Sequence, residues 1–178
     1  MDKIKNPYLH LHDEGYNCFA CAPWNPVGLH MEFYEDGDEI VSFWEPGLNY
    51  QSWLNTVHGG IQATLLDETA GWYITRKMQT AGVTSNMSVR YRHTVPAGPG
   101  VKLEIRVKLK EMKHNLVFLQ GSIIHDGKVC TTADLTYFTF PQDKAKSDFF
   151  FSGCELEKDA EDAGQQSYPS VANCLRRG

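Results

Sequence analysis

Two adjacent carboxylates, Asp67 and Glu68, stand in the middle of a predominantly apolar stretch of the sequence, VHGGIQATLLDETAGWYITR. A charge carried into apolar surroundings costs several kcal/mol unless it is paired or hydrogen-bonded. Carboxylates with perturbed surroundings cluster at functional sites, although structural ones also occur. Asp67 is therefore a candidate nucleophile or general base. The alternative is a structural carboxylate that hydroxyls or backbone amides satisfy at a subunit contact.

The stretch covers residues 57–76 and predicts one long buried helix, because it is apolar nearly all round. Residues three or four positions apart share a helix face, so Asp67 lies on a stripe of mostly small residues that a ligand could approach. The stripe consists of Gly60, Ala63, Asp67, Ala70, Gly71 and Ile74. Glu68 points about 100° away around the helix and is expected to be a paired charge on its surface.

The sequence His58-Gly59-Gly60 stands at the start of this helix. Free backbone N–H groups and the positive end of the helix dipole point there, and glycine lets a ligand come close. Such an arrangement can polarise a carbonyl or hold an oxyanion. His58 and Asp67 are separated by a rise of about 13 Å along one helix. We therefore expect Asp67 to act with the helix start of a second subunit.

Alternation of apolar and polar residues predicts strands before and after the helix. The predicted strands cover residues 29–35, 39–44, 83–94, 101–109, 116–125 and 128–140. Residues 101–109 alternate without a fault, with Leu109 among the inward positions and polar residues outward, so the sheet is covered on one side only. This order predicts an α+β fold in which an antiparallel sheet wraps around one long central helix.

The chain is expected to divide into three parts. Residues 1–17 form an N-terminal arm, residues 18–141 form the domain, and residues 142–178 form a partly flexible C-terminal extension. Within the extension, residues 159–166 have the composition of a solvated or disordered segment. The aromatic run Phe149–Phe151 is expected to dock on the domain or on a partner subunit.

Composition excludes several classes of protein. The net charge of −5 opposes a general nucleic-acid binder, which would carry a basic stripe. No stretch approaches the roughly 18 apolar residues of a membrane span, and the first residues lack an apolar run of signal-peptide length. A cytoplasmic protein is predicted, without a membrane or nucleic-acid partner. Arg90 and Arg92 share one strand face, where they are either solvated charges or contacts for phosphates.

Cys18 and Cys21 form a CxxC motif with three possible uses. A zinc site needs more ligands, and neither a second CxxC nor a histidine at zinc-finger spacing supplies them. A redox pair would favour a helix start after a strand, whereas Pro23 and Pro26 indicate a loop. A structural loop is the favoured interpretation, and no metal site is expected.

The run from His58 to Asp67, HGGIQATLLD, with the strands behind it, resembles the hotdog-fold acyl-CoA thioesterases. The nearest likeness is to the PaaI-like branch of the phenylacetate pathway. The resemblance covers about residues 18–140 and includes Gly82-Val83-Thr84 and the Pro96-Ala97 turn. The same fold also serves dehydratases and non-catalytic proteins. The histidine and carboxylate signatures of the hydratase and dehydratase branches are not visible.

The resemblance implies catalytic roles for a carboxylate, a backbone amide, a motif histidine and a hydroxyl. The carboxylate would act on the thioester or on a water, the amide would polarise the carbonyl, and the hydroxyl would orient the water. The matching positions are His58, Gly59, Gly60, Asp67, Thr84 and Ser85. Where some relatives carry an asparagine six residues before the histidine, this chain has Ser52. The expected substrate-binding residues are Asn55, Glu68, Arg90 and Arg92.

The resemblance therefore implies hydrolysis of a small or medium acyl-CoA to free acid and CoA at a subunit interface. Family members are homodimers or dimers of dimers with CoA at the interface. No cofactor is expected, since a thioester is already activated and needs only water, a base and an oxyanion site. The alternative is a non-catalytic hotdog protein that binds acyl-CoA or serves a structural role. Trp53, Trp72 and Tyr73 are candidates for an aromatic acyl pocket or for core packing.

Overall fold

The computed structural model describes residues 1–159, which form a seven-stranded antiparallel sheet and a 15-residue helix α1 (Gly59–Tyr73). The strands are β1 (Asp2–Lys3), β2 (Phe33–Asp36), β3 (Glu39–Trp44), β4 (Gly82–Tyr91), β5 (Leu103–Lys113), β6 (Leu116–His125) and β7 (Lys128–Thr139). A short helix α2 (Gln142–Phe149) follows. The strand order is β1-β2-β3-β5-β6-β7-β4. The predicted α+β architecture, with an antiparallel sheet around a long helix, is confirmed.

Helix α1 packs against the sheet through contacts with strands β3 to β7. Leu65 and Leu66 are fully buried there, and burial of such a side chain contributes about 1.5–3 kcal/mol. Strand β6 passes close to the helix at Gly121, where a Cβ atom would lie 2.9 Å from a methyl carbon of Leu66. A glycine is therefore required where this strand crosses the helix.

The helix and the first predicted strand both differ from their expected limits. Beyond Tyr73 the helix widens into a π-turn at Ile74–Met78, and Gln79 then adopts a left-handed φ of 51°. The strand predicted over residues 29–35 begins only at Phe33. The prediction is wrong for residues 29–32, because the amides of Leu29 and Met31 donate to the backbone of the loop that carries the cysteines.

Strand β5 confirms the predicted alternation as far as Val107 and then departs from it. Leu103, Ile105 and Val107 are buried, whereas Leu109 is 39% exposed. A shift in the β5–β6 register lies between Leu109 and Glu111. Leu109 precedes this shift and still pairs in register with buried Leu119, so it keeps the predicted inward parity but is not buried. Beyond the shift, the bulge exchanges the faces that the side chains occupy.

The two ends of the described chain meet at one side of the sheet. Strand β1 pairs with β2, and Ile4 forms an isolated bridge with Leu156. Phe151 and Leu156 are buried, and Phe149 stacks on Phe140 with ring centroids 4.7 Å apart. Most of the segment expected to be solvated, residues 159–166, lies outside the described residues. Among the residues described, no helix is long and apolar enough to cross a membrane.

Strand β4 is the open edge of the sheet next to the helix. It pairs with β7, and all of its residues are exposed or half-buried. Its first residues lie near the middle and end of α1, and its last residue, Tyr91, contacts the helix start. The strand therefore runs along the helix in the opposite direction.

Candidate active site

The side chain of Asp67 is held from the sheet through one of its two oxygens. Oδ1 accepts hydrogen bonds from Thr84 Oγ1 at 2.7 Å and from Tyr137 Oη at 2.8 Å, and the single proton of Tyr137 is shared with the backbone carbonyl of Asp67 at 2.7 Å. Thr84 on β4 and Tyr137 on β7 are direct partners in the register of the two strands. Among the described residues, nothing donates to Oδ2 of Asp67. One oxygen is thus fixed, and the other is available to a ligand or water.

The hydroxyls of Tyr137 and Ser85 have different hydrogen-bond partners. Tyr137 is 3% exposed, and burial together with the charge of Asp67 raises the pKa of its phenol. Its hydroxyl therefore stays protonated and donates. Ser85 is the extra residue at a register shift in β4, and its hydroxyl donates to the carbonyl of Thr136 at 3.0 Å. Of the two hydroxyls expected from the sequence, Thr84 lies at Asp67 and Ser85 does not.

The start of α1 presents one free backbone donor. His58 is the N-cap residue, and its Nδ1 accepts a hydrogen bond from the amide of Gly60 at 2.9 Å. The amide of Gly59 donates to no atom of the residues described here. Tyr91 Oη donates to the carbonyl of Gly59 at 2.9 Å. Of the two glycines, only Gly59 keeps an unoccupied N–H at the positive end of the helix dipole.

Asp67 and the helix start line two different cavities within one chain. Asp67 lines a cavity of about 490 Å³ beside the middle and end of α1. His58 and Gly60 line another, of about 390 Å³, and the two cavities share no lining residue. Asp67 lies eight residues beyond Gly59, a rise of about 12 Å. One chain therefore presents the two groups to separate spaces.

The walls of the Asp67 cavity are largely aromatic. They come from the N-terminal arm, from α1 and from the C-terminal segment. The aromatic lining residues are Tyr8, Tyr16, Trp72, Tyr137, Phe149 and Phe150. Of the aromatic residues suggested by the sequence, Trp72 lines this cavity and Tyr73 is buried in the core. Trp53 is 82% exposed and lies elsewhere.

Glu68 lines the same cavity but has different neighbours. Its Oε1 accepts hydrogen bonds from Trp72 Nε1 at 3.0 Å and from Cys18 Sγ at 3.5 Å. Burial and the nearby charge of Cys18 raise the pKa of Glu68 to about 7. A hydrogen bond with Cys21 lowers the pKa of the Cys18 thiol. No ion pair in the described part of the chain involves Glu68, so its interpretation as a paired surface charge is wrong.

The remaining expected binding residues lie toward the helix start. Arg90 donates to Asp134 at 2.8 Å and is thereby paired. Arg92 is exposed and forms no ion pair with any residue that the structure describes. Asn55 is exposed with a left-handed φ of 56°, and its side chain is free of hydrogen bonds to the described residues. Arg92 and Asn55 are therefore the available members of this group.

The sequence interpretation missed two tyrosines and one contact of the site. Tyr137 lies within a correctly predicted strand, and nothing in its local pattern distinguishes it from a core residue. Tyr91 lies within a predicted strand, and its contact with Gly59 depends on how β4 crosses the helix. The contact between Cys18 and Glu68 joins residues fifty positions apart. A proximity of that kind leaves no signal in sequence spacing.

Comparisons with known proteins give a family model that matches part of the chain and a fold that matches most of it. Residues 54–135 match the family model described as the thioesterase superfamily. A thioesterase superfamily protein of known structure is 24% identical with a TM-score of 0.63, covering 68% of this chain. This chain spans 59% of the length of that protein. No curated protein matches the sequence.

Two further solved structures are similar over most of their own length. A hypothetical thioesterase of Streptococcus pneumoniae, solved with coenzyme A, is 19% identical with a TM-score of 0.57, covering 63% of this chain and 90% of that one. A mutant of the phenylacetic acid degradation protein PaaI of Thermus thermophilus is 18% identical with a TM-score of 0.56. The match covers 63% of this chain and 95% of that one. At these identities the likeness shows the fold, and the expected hotdog fold is confirmed.

Proposed function

We propose that this chain, in which residues 54–135 match the thioesterase superfamily model, hydrolyses a small or medium acyl-CoA to the free acid and CoA. The observation that carries the proposal is the geometry of Asp67. Two hydroxyls hold one of its oxygens, while the other is free in an aromatic cavity. Coenzyme A is bound in the Streptococcus pneumoniae relative, which supports a CoA ester as the substrate here.

Asp67 acts as the general base or as the nucleophile through its free oxygen, Oδ2. As a base, it takes a proton from a water that attacks the thioester carbonyl carbon. The C–S bond then breaks, and the CoA sulfur leaves with the proton that Asp67 held. Because Thr84 and Tyr137 both donate to Oδ1, the carboxylate is fixed in one orientation throughout.

The carbonyl oxygen needs a donor where negative charge develops. The amide of Gly59 is the proposed donor, since the amide of Gly60 is already bound to His58. His58 has the role of fixing the helix start rather than of transferring protons. Because Gly59 does not line the Asp67 cavity and lies about 12 Å of helix rise from Asp67, the proposed donor is supplied by a partner subunit.

A homodimer or a dimer of dimers is the proposed assembly. Three features of the described chain support it: the divided site, the unpaired outer edge of β4, and the exposed pair Trp53 and Leu54, each 82% exposed beside the helix start. Arg92 and Asn55 lie on the same side and are the proposed contacts for the CoA phosphates and amides.

The test is hydrolysis of a panel of acyl-CoA esters by wild type and by Asp67→Asn. The amide keeps the size of the side chain and removes the base, so kcat should fall by about 10²–10⁴-fold. Asp126→Asn is the matched control, because that carboxylate is exposed at the β6–β7 turn. Undiminished turnover in Asp67→Asn would refute the proposed role.

A non-catalytic acyl-CoA binding protein is the second candidate. The same two hydroxyl contacts that orient a base would also satisfy a structural carboxylate. Calorimetry with CoA and with a non-hydrolysable acyl-CoA analogue separates the two functions. Binding without turnover of any ester in the panel would favour the second candidate.

A further inference from the structure

A second group of reactive side chains lines the Asp67 cavity and has no part in the proposed hydrolysis. Cys18 and Cys21 of the N-terminal loop meet Glu68 of α1, and their ligand atoms all lie within 4.8 Å of one another. We propose that these three side chains bind a divalent transition-metal ion, with Zn²⁺ as the expected occupant. The fourth coordination position opens into the cavity.

The spacing of these atoms fits tetrahedral coordination. Zn–S bonds of about 2.3 Å and Zn–O bonds of about 2.1 Å at a tetrahedral angle place sulfur and oxygen about 3.6 Å apart. Cys18 Sγ lies 3.5 Å from Glu68 Oε1. A metal ion can therefore replace the thiol proton between these two atoms with little movement of either. Two thiolates favour zinc over magnesium or calcium, which prefer oxygen ligands.

Groups that donate hydrogen bonds surround the two sulfurs. The amide of Cys21 donates to Cys18 Sγ at 3.4 Å. Tyr16 Oη lies 3.2 Å from Cys21 Sγ, and the side-chain amide of Asn6 donates to the same sulfur at 3.9 Å. Donors placed around sulfur stabilise its thiolate form, which is the form that binds metals.

The third ligand is held in the same manner. Trp72 Nε1 donates to Glu68 Oε1 at 3.0 Å, and such partners orient the ligands of metal sites. Within the described residues, Glu68 has no ion pair with lysine, arginine or histidine. A metal cation would balance the negative charge that these three groups carry when they are deprotonated.

Access distinguishes this site from a closed structural zinc site. Cys18, Cys21 and Glu68 all line the cavity of about 490 Å³ that also contains Asp67. Closed structural sites use four protein ligands, whereas three protein ligands leave one position for water or another small ligand. The site is therefore of the open type and is reached from the same space as Asp67.

The experiment measures metal binding directly, so it is independent of thioester hydrolysis. The full chain is reduced, stripped of metal with a chelator and titrated with Co²⁺ and then Zn²⁺. We expect one ion per chain by elemental analysis and a thiolate-to-Co²⁺ charge-transfer band that Zn²⁺ abolishes. Cys18→Ser and Cys21→Ser should each weaken Zn²⁺ binding by at least about 100-fold.

Two milder variants keep the test valid if the cysteine variants fold poorly. Trp72→Phe removes the donor to Glu68 but keeps an aromatic ring against Phe33, and it should weaken Zn²⁺ binding by about 10–100-fold. Glu68→Gln should weaken it further and lower the intensity of the Co²⁺ band less than loss of a thiolate does. Cys130→Ser is the matched control, because Cys130 is a buried thiol in β7 outside the cavity lining.

The proposal also predicts that Zn²⁺ raises the Tm of wild type and of Cys130→Ser but leaves that of Cys18→Ser unchanged. Reduced wild type that binds no Co²⁺ or Zn²⁺ would overturn it. Binding that Cys130→Ser weakens as much as Cys18→Ser does would overturn it too. Isolation of the native protein with a Cys18–Cys21 disulfide that excludes metal would have the same effect and would identify the pair as redox-active.

Discussion

The cavity at Asp67 and the cavity at the helix start are built in opposite ways. The first has aromatic walls and a carboxylate fixed by two strands. The second is lined by His58 and Gly60 and lies beside exposed Trp53. A base needs a defined, partly dry position, whereas an oxyanion donor needs an approachable backbone. Gly59 and Asp67 stand eight residues apart on α1, too far to reach one carbonyl from the same helix, and this separation is the basis of the proposed assembly.

After loss of the proposed base itself, the largest expected effect comes from removing the donor at the helix start. Gly59→Pro deletes one N–H at the first helical position, where proline is well tolerated, and His58 has the extended ψ of 136° that proline requires. We expect kcat to fall by about 10²–10³-fold with the fold retained, as measured by turnover and circular dichroism.

Mixed dimers test whether Asp67 of one subunit and Gly59 of another form a single site. A chain with Asp67→Asn and a chain with Gly59→Pro complement each other only if each site takes groups from two subunits. Random mixing should then restore about a quarter of wild-type activity, because half of the dimers are mixed and each has one intact site. Activity no higher than that of the two separate variants would assign both groups to one chain.

Tyr137→Phe tests the support of the carboxylate from strand β7. It removes one of the two hydroxyls that donate to Asp67 Oδ1. We expect kcat to fall by about tenfold with little change in KM, because the lost hydrogen bond is worth about 1 kcal/mol or more when its partner is charged. Tyr34→Phe, which loses a hydroxyl contact to exposed Glu32, is the control. An equal loss in both variants would indicate a general effect on stability.

Thr84→Val and Ser85→Ala form a matched pair on strand β4. Thr84 contacts Asp67, whereas the hydroxyl of Ser85 contacts only the backbone of Thr136. We expect a loss of about three- to tenfold in kcat for Thr84→Val and less than about twofold for Ser85→Ala. If Ser85→Ala has the larger effect, the hydroxyl that matters faces another subunit or the substrate rather than Asp67.

The smallest effect is expected on substrate binding near the helix start. Arg92 has no ion-pair partner in the described chain, whereas Arg90 is paired with Asp134. Arg92→Ala should raise the KM for acyl-CoA by about two- to fivefold, more at low than at high salt, with kcat nearly unchanged. Arg90→Ala should raise it less. If Arg90→Ala raises the KM more than Arg92→Ala does, Arg90 rather than Arg92 contacts the phosphates.

The sequence was sufficient for features that local periodicity and helix geometry control. The limits of β6, the long buried helix and the separation of Asp67 from the helix start all follow from spacing. The bulge after Leu109 could not be predicted, because a bulge depends on pairing with a neighbouring strand. The backbone of Met31 pairs with a distant loop, and the neighbours of Glu68 lie in that loop as well. The features that could not be predicted therefore depend on contacts between residues that are distant along the chain.

The terminal segments supply part of the cavity wall, and this has a consequence for how substrate preference can change. Several walls of the acyl cavity come from the N-terminal arm and from Phe149 and Phe150, all outside the matched residues 54–135. Asp67 and Gly59 lie inside that range. In the proposed function, the cavity walls and the groups that act on the thioester thus lie in different segments of the chain. We predict that exchange of the terminal segments changes the choice of acyl group while Asp67 and Gly59 stay in place.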